Sequence, residues 1–407
     1  MNKKINLYCK NIVLEDKIIE GILTINGDVI EKINSFPKKT EIQEAENFSN
    51  SIIIPGIIDV HNHGFKSWSA KTIYKDEIKG LSKILPSIGV TSSLATTTGW
   101  KEHEFSMLRA ISDAIDEGLE GAKILGIHME GPFFNPEKHN ATPRNEVIAP
   151  SIEKCEEYWQ AAKGKIKYMT LAPEMEGALN TINWLTKHGV VVGAGHTMAT
   201  DQDIQKAFAA GLKVSIHTGN AMRQIDRREI GALGSVLLNK EIICEIICDF
   251  VHLSPRMLEI MFKLKNDMDK FMMISDSDTL AGVEPGVYYA YGKRVHVNED
   301  GHILLDDGTI AGSSKYVLYG MKNLVRKMHL PLTTVSKMSS LNPAKILNID
   351  NKTGSIKQNK QADIVVIDSD FNVQRTYVDG NIVYEAGDEI SINPMFKDIC
   401  IKLDEQI

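Results

Sequence analysis

Residues 51–60 read SIIIPGIIDV and run directly into His61-Asn62-His63. An apolar run so little broken by charge is what a strand buried on both faces looks like, and such strands belong to parallel sheets. Seven more runs follow: GVTSSLATTT (89–98), KILGIHME (123–130), KYMTLAPE (167–174), GVVVGAG (189–195), KVSIHTG (213–219), EIICEIICDF (241–250) and KFMMISD (270–276). Each precedes a stretch of helical character. Eight strand–helix units in succession point to an α/β fold of the (β/α)8 TIM-like barrel type. The alternative, an open doubly wound sheet, carries a G-x-G-x-x-G or P-loop after its first strand; neither follows this one.

The flanks differ in character. Residues 1–54 alternate apolar and polar around ITINGDVIEKI, and residues 350–390 do the same in GSIKQNKQADIVVIDSDFNVQRTYVDGNIVYEAG. Short alternating runs joined by Asn-Gly or Asp-Gly turns are antiparallel strands. The expected organisation is therefore a barrel over residues 55–349 and a small β-sandwich domain built from both ends, residues 1–54 and 350–407.

Composition sets the class. The 407 residues suit one large barrel with a small accessory domain, and 43% hydrophobic residues exclude a disordered chain. The 46 Lys and Arg against 53 Asp and Glu give a net charge of −7, which argues against nucleic acid or an anionic membrane as partner. A phosphorylated substrate would need its positive counter-charge locally. The N-terminus, MNKKINLYCKNIVLEDKIIEG, has no signal-peptide core, and no uncharged run is long enough to span a bilayer. The five cysteines (Cys9, Cys155, Cys244, Cys248 and Cys400) are scattered, and Cys244 and Cys248 lie in an apolar run, where thiols act as small core hydrophobes. A cytoplasmic protein is expected.

The polar residues that end the apolar runs carry the chemistry. Residues two apart in a strand share a face, so His61 and His63 point the same way. The third run ends in His128-Met129-Glu130, the fifth in His196, the sixth in His217 and the eighth in Asp276. Barrel active sites sit at the carboxyl ends of the strands, so His61, His63, Glu130, His196, His217 and Asp276 should converge on one mouth. Imidazole and carboxylate suit Zn2+ or non-haem Fe2+. A lone strand-end histidine is more often a hydrogen-bonding rim residue; six such groups from five strands make coincidence a poor account. His128 shares the face of Glu130 and reads as a barrel-interior support for the ligands. His103, His188, His296, His302 and His329 read as solvated residues of helices or turns, and His139 is ambiguous.

At this point the chain resembles the N-acetylglucosamine-6-phosphate deacetylase family of the amidohydrolase superfamily. The resemblance rests on PGIIDVHNHG (55–64), HMEGPFFNPEK (128–138), LAPE (171–174), GAGHTMA (193–199), HTGNAM (217–222), RREIG (227–231), ICDFVH (247–252), ISD (274–276), IAGSS (310–314) and NPAKILNI (342–349), in the family's order. It implies a hydrolase that removes an N-acetyl group from an amino-sugar phosphate. It implies metal ligation by Glu130, His196 and His217, and by the pair His61 and His63 that marks two-metal members, hence two divalent ions per chain. Asp276 matches the catalytic aspartate, which accepts a proton from the attacking water and delivers it to the leaving amine. Substrate contacts map onto Ala141, Asn220, Ala221, Arg228, His252 and Ile310, Ala311 and Gly312. Arg228 matches an arginine that reaches the phosphate in the neighbouring subunit, which implies a homodimer.

Three departures bear on the sugar. Asn140-Ala141-Thr142 stands where the family has a histidine that polarises the acyl carbonyl, a task left to a second metal or to His139. Thr218-Gly219 is expected to line the sugar side differently, and Phe250 to fill space where the family has glycine. The competing readings are the same chemistry on another N-acyl amino sugar, such as N-acetylgalactosamine-6-phosphate, or on another amide, and a non-catalytic binding protein on a retired barrel. Arg228 and His252 favour an anionic substrate over the second of these, and the intact set of six argues against the third.

Overall fold

The run SIIIPGIIDV is cut in two at Gly56. Ile52–Pro55 joins one sheet and Ile57–Asn62 another. A Cβ at position 56 would lie 2.1 Å from Thr91 Oγ1, so only glycine lets the chain pass so close to the neighbouring strand. The computed structural model describes residues 4–98, 101–290, 293–300, 302–394 and 400–403; of the terminal segments, 1–3, 395–399 and 404–407 lie outside the described residues.

Ile57–Asn62 begins a sheet of eight strands whose neighbours follow chain order: Val90–Thr98, Lys123–Glu130, Ile166–Leu171, Val191–Ala194, Val214–Ser215, Ile243–Ile247 and Phe271–Ile274. All seven pairings are parallel. One long helix follows each strand, from Lys75–Ile84 after the first to Val317–Arg326 after the eighth. The last of these, VLYGMKNLVR, buries Val317, Leu318, Gly320, Met321 and Leu324, the helical spacing that lays an apolar stripe on the sheet. Inside the barrel Ile58, Val60, Leu94, Tyr168, Val214, Ile216, Ile247, Met272 and Ile274 form a separate buried cluster. The expected (β/α)8 barrel is what the chain builds.

The barrel closes between its first and eighth strands. Asp276 N donates to His61 O (2.9 Å) and His63 N to Ser277 O (3.0 Å). The fully buried Asp59 pins the same seam: its carboxylate accepts from Ser275 Oγ (2.6 Å) and Asn62 Nδ2 (3.2 Å) and from the backbone N–H groups of Ser275 and His61. Burial raises the Asp59 pKa, and these hydrogen bonds oppose the rise. Asp59→Ala would strand several buried donors at roughly 1–3 kcal/mol each. The expected loss is about 2–4 kcal/mol, read from the urea unfolding midpoint at unchanged slope; a loss below about 1 kcal/mol would contradict the pin.

The chain ends meet in a second sheet. Its path runs Asn381–Glu385, Val373–Val378, Ile364–Ile367, Ile52–Pro55, Lys4–Val13, Ile18–Asn26, Val29–Asn34. The Asp-Gly hairpin is present: Asp379 and Gly380 have φ of 46° and 72°, the left-handed pair that a tight two-residue turn requires. A third, antiparallel sheet (Gly286–Ala290, Lys293–Val297, His302–Leu305 and Ile310–Ser313) is inserted between the eighth strand and its helix. Cys400–Leu403 pairs with its Gly286–Ala290 strand, so the C-terminal segment contributes to two sheets.

Candidate active site

The six strand-end residues meet at the carboxyl mouth of the barrel. Glu130 lies at their centre: Oε1 is 3.1 Å from His196 Nε2, 3.1 Å from His217 Nε2 and 3.4 Å from His61 Nε2, and Oε2 is 3.3 Å from His63 Nε2. Asp276 Oδ1 faces His61 Nε2 at 3.4 Å and His63 Nε2 at 3.3 Å. Three of the six hold a left-handed backbone, with φ of 49° at His196, 27° at His217 and 49° at Asp276. Such conformations cost on the order of 1–3 kcal/mol each and persist where the surroundings over-determine them. The sharp turns at the strand ends aim these side chains into the mouth.

Three of the four rings are set from behind. His63 Nδ1–H donates to Thr96 O (3.0 Å) and His196 Nδ1–H to Lys138 O (2.7 Å), while Phe134 stacks on the His196 ring at 4.0 Å between centroids. His61 Nδ1–H donates to Glu245 Oε2 (3.1 Å). These bonds leave the Nε2 lone pairs facing inward.

The arrangement fits divalent cations. His196 Nε2 and His217 Nε2 stand 3.2 Å apart, two ring nitrogens directed at one point, and the buried His61 Nε2 has no hydrogen-bond partner. Two groups have ligand atoms mutually within 4.8 Å, His61/His63/Glu130 and Glu130/His196/His217, sharing Glu130. Burial disfavours charge on Glu130, but His61 and the hydrogen bonds from His196 and His217 outweigh it and hold the carboxyl well below its usual range. Asp276 is likewise depressed: burial opposes its charge, and the facing His61 and His63 prevail. His128 is not in either group. Its Nε2 meets Thr170 Oγ1 at 2.8 Å and its ring stacks on Tyr168, the interior role expected of it; burial, the largest cause, keeps it neutral.

A cavity of about 920 Å3 opens above the cluster, within the size range of small-molecule sites. Ala141, Asn220, Ala221, His252, Ile310, Ala311 and Gly312 all line it. His252 Nδ1–H donates to Asp249 Oδ2 (2.8 Å), which also accepts from Ser313 Oγ (2.9 Å). Arg228 lies outside the described lining, exposed in the loop after Met222, where its backbone N–H donates to Asp226 Oδ1.

Several expectations change. His103 is not a solvated bystander but lines the cavity. Phe250 lies outside the described lining: it adopts φ +68° and packs against the helical layer beneath Lys327, which explains why glycine suits the position and leaves the sugar space open. Thr218 is buried on Ser215, and with Gly219 it too lies outside the described lining. The His139 ring is tied by Nδ1–H to Thr142 O (2.7 Å), while Thr142 itself lines the cavity. Two residues were missed altogether. Lys71 lines the cavity with its Nζ 3.6 Å from Asp278 Oδ2, and Glu245 sits behind His61. A glutamate inside the apolar run EIICEIICDF was the available signal for the second. Cys244 and Cys248 are buried thiols, as read.

The amidohydrolase family matches residues 52–383. An N-acetylglucosamine-6-phosphate deacetylase of Bacillus subtilis (strain 168) is 32% identical over 379 residues, 92% of this chain and 95% of its own. An N-acetylgalactosamine-6-phosphate deacetylase of Escherichia coli O157:H7 is 30% identical over 361 residues, 88% of this chain and 94% of its own. The structure of a Mycobacterium smegmatis N-acetyl-D-glucosamine-6-phosphate deacetylase D267A mutant, in complex with N-acetyl-D-glucosamine-6-phosphate, superposes with a TM-score of 0.87 at 26% identity, covering 94% of this chain and 99% of its own.

Proposed function

The chain belongs to the amidohydrolase family, among its N-acetylglucosamine-6-phosphate deacetylases, and from that premise we propose how its residues hydrolyse the N-acetyl amide of an amino-sugar phosphate to the free amine and acetate. The observation that carries the reading is the convergence of four imidazole nitrogens and two carboxylates on one point at the floor of a cavity of about 920 Å3. His61, His63 and Glu130 would hold one divalent ion and Glu130, His196 and His217 a second, zinc or iron. Bound there, the ions would supply positive charge that lowers the pKa of water toward neutrality and polarises the acyl carbonyl. Thr142, in place of a histidine, cannot add a cation to that task.

Asp276 is the proton carrier. Its Oδ1 faces the His61/His63 pair at the cavity floor, where it accepts a proton from the attacking water. As the tetrahedral carbon collapses, the same carboxyl returns the proton to the departing nitrogen, so the amine leaves neutral. His252, oriented by Asp249, and the backbone of Asn220 and Ala221 hold the sugar phosphate. The test is a panel of N-acetyl hexosamines, gluco and galacto, with and without 6-phosphate, on metal-replete protein. Turnover of a phosphorylated sugar at least tenfold above its unphosphorylated analogue is expected; turnover of neither refutes the reading.

Arg228 belongs to the same proposal. Exposed on its own chain, it is suited to reach the phosphate in a second subunit of a homodimer. A guanidinium fork matches phosphate geometry, and loss of a charge-assisted bond costs on the order of 1.5–3 kcal/mol. Arg228→Ala should raise KM for the phosphorylated substrate about ten- to a hundredfold and leave an unphosphorylated analogue nearly unchanged. Mixed with an Asp276→Asn chain, it should regain activity in hybrid dimers, where one site has both residues intact. Monomers on sedimentation, or inactive hybrids after proven exchange, would refute the cross-subunit role. A cytoplasmic location is part of this reading. It is supported by the absence, among the described residues, of any helix long and apolar enough to cross a membrane, and by four buried free thiols.

A further inference from the structure

We propose that Glu245 is the positioning residue of the His61/His63 metal site: its buried carboxylate fixes the tautomer and direction of His61, and so decides whether the ion of that site is bound. The proposal rests on the two-metal reading above. Glu245 is fully buried on the seventh barrel strand, and His61 on the first is fully buried as well. A carboxylate placed in a barrel interior is costly unless its oxygens are engaged, and both are. Oε2 accepts from His61 Nδ1–H (3.1 Å) and from the backbone N–H of His217 (3.1 Å); Oε1 accepts from the Tyr168 hydroxyl (2.8 Å). Tyr168 is fixed in turn by stacking on His128 at 4.4 Å between centroids.

Among the described histidines of the cluster, His61 is the one set from behind by a carboxylate. His63 and His196 lean on the backbone carbonyls of Thr96 and Lys138. A carboxylate on Nδ1 puts the proton there and leaves Nε2 as a lone pair, and it makes the ring a better donor to a cation. That Nε2 is buried without a hydrogen bond, 3.4 Å from both Glu130 Oε1 and Asp276 Oδ1. Removing the charge behind it should therefore weaken one metal site and spare the other, since Glu245 meets the Glu130/His196/His217 group only at the backbone N–H of His217, to which the amide oxygen of a glutamine can still serve as acceptor.

The test is a competitive chelator titration of the stripped full-length chain with Zn2+ and with Co2+, with bound metal read by elemental analysis. Wild type should take two ions. Glu245→Gln, which keeps the shape and loses the charge, should bind one of them about ten- to a hundredfold more weakly and the other as wild type does. His61→Ala should lose the same ion, and the double variant should lose no more than His61→Ala alone, as expected of two residues acting as a unit. Tyr168→Phe, which leaves the carboxylate in place, should shift the same ion by less than tenfold. Both ions bound with wild-type affinity by Glu245→Gln, or both weakened equally, would overturn the role of Glu245 and leave the two-metal reading standing. A wild-type chain that takes one ion would overturn the two-metal reading and this role with it.

Discussion

Asp276→Asn is expected to lower kcat by about 10²–10⁴, the usual worth of a positioned acid–base group, with the barrel intact. The backbone of Asp276 is fixed on both sides: its N–H donates to His61 O (2.9 Å) and its carbonyl accepts from Ser313 N–H (2.8 Å). Its φ of 49° is imposed by those contacts, and asparagine tolerates that region as well as aspartate does. The substitution therefore keeps the shape and removes the proton acceptor. Because Oδ1 also faces the His61/His63 pair, metal content must be measured beside kcat. A variant that keeps its metal and more than about a tenth of wild-type kcat would refute Asp276 as the proton carrier.

How far such a site can be read in advance follows from how it is encoded. Strands buried on both faces must be apolar along their length, so the eight barrel strands announce themselves, and the polar residues at their ends stand out against them. His61, His63, Glu130, His196, His217 and Asp276 were legible for that reason. Their left-handed backbones at positions 196, 217 and 276 have no local sequence mark, since histidine and aspartate carry no glycine-like signature. Glu245 was hidden by the same logic that revealed the strands: one charge inside EIICEIICDF does not alter the strand reading, and its partner is 184 residues away. The sheet over Gly286–Ser313 was missed because its strands are short and one of its partners is Cys400–Leu403. That sheet lines part of the cavity through Ala290, Val295, Leu305 and Ile310. Lys71 and His103 sit in connections between barrel strands and helices, where tertiary placement and not periodicity decides what a side chain faces. Phe250 shows the converse error. Residue size alone suggested a filled pocket, whereas its φ of +68° turns the ring toward the helical layer.

Glu130→Ala is the change expected to do the most damage, because one carboxylate serves both metal groups. Oε1 lies 3.1 Å from His196 Nε2 and His217 Nε2, and Oε2 lies 3.3 Å from His63 Nε2. Without it four inward-facing imidazoles have no anion among them except Asp276, which faces only the His61/His63 side. His196 Nε2 and His217 Nε2, 3.2 Å apart, would then have to hold a cation with no anionic ligand beside them to offset its charge. The chain should be isolated with neither ion, whereas His61→Ala should lose one and keep the other. Activity should fall with the metals: the transition-state charge they neutralise is worth several kcal/mol, so a loss on the order of 10³-fold or more is expected. The fold should survive, since Glu130 ends its strand at the mouth and the strand's partners are backbone groups of Val90–Thr98 and Ile166–Leu171. Elemental analysis and circular dichroism on the same preparation separate the possibilities. A folded Glu130→Ala chain that still carries two ions would show that the two groups do not share a ligand, and the site would have to be rebuilt around Asp276 instead.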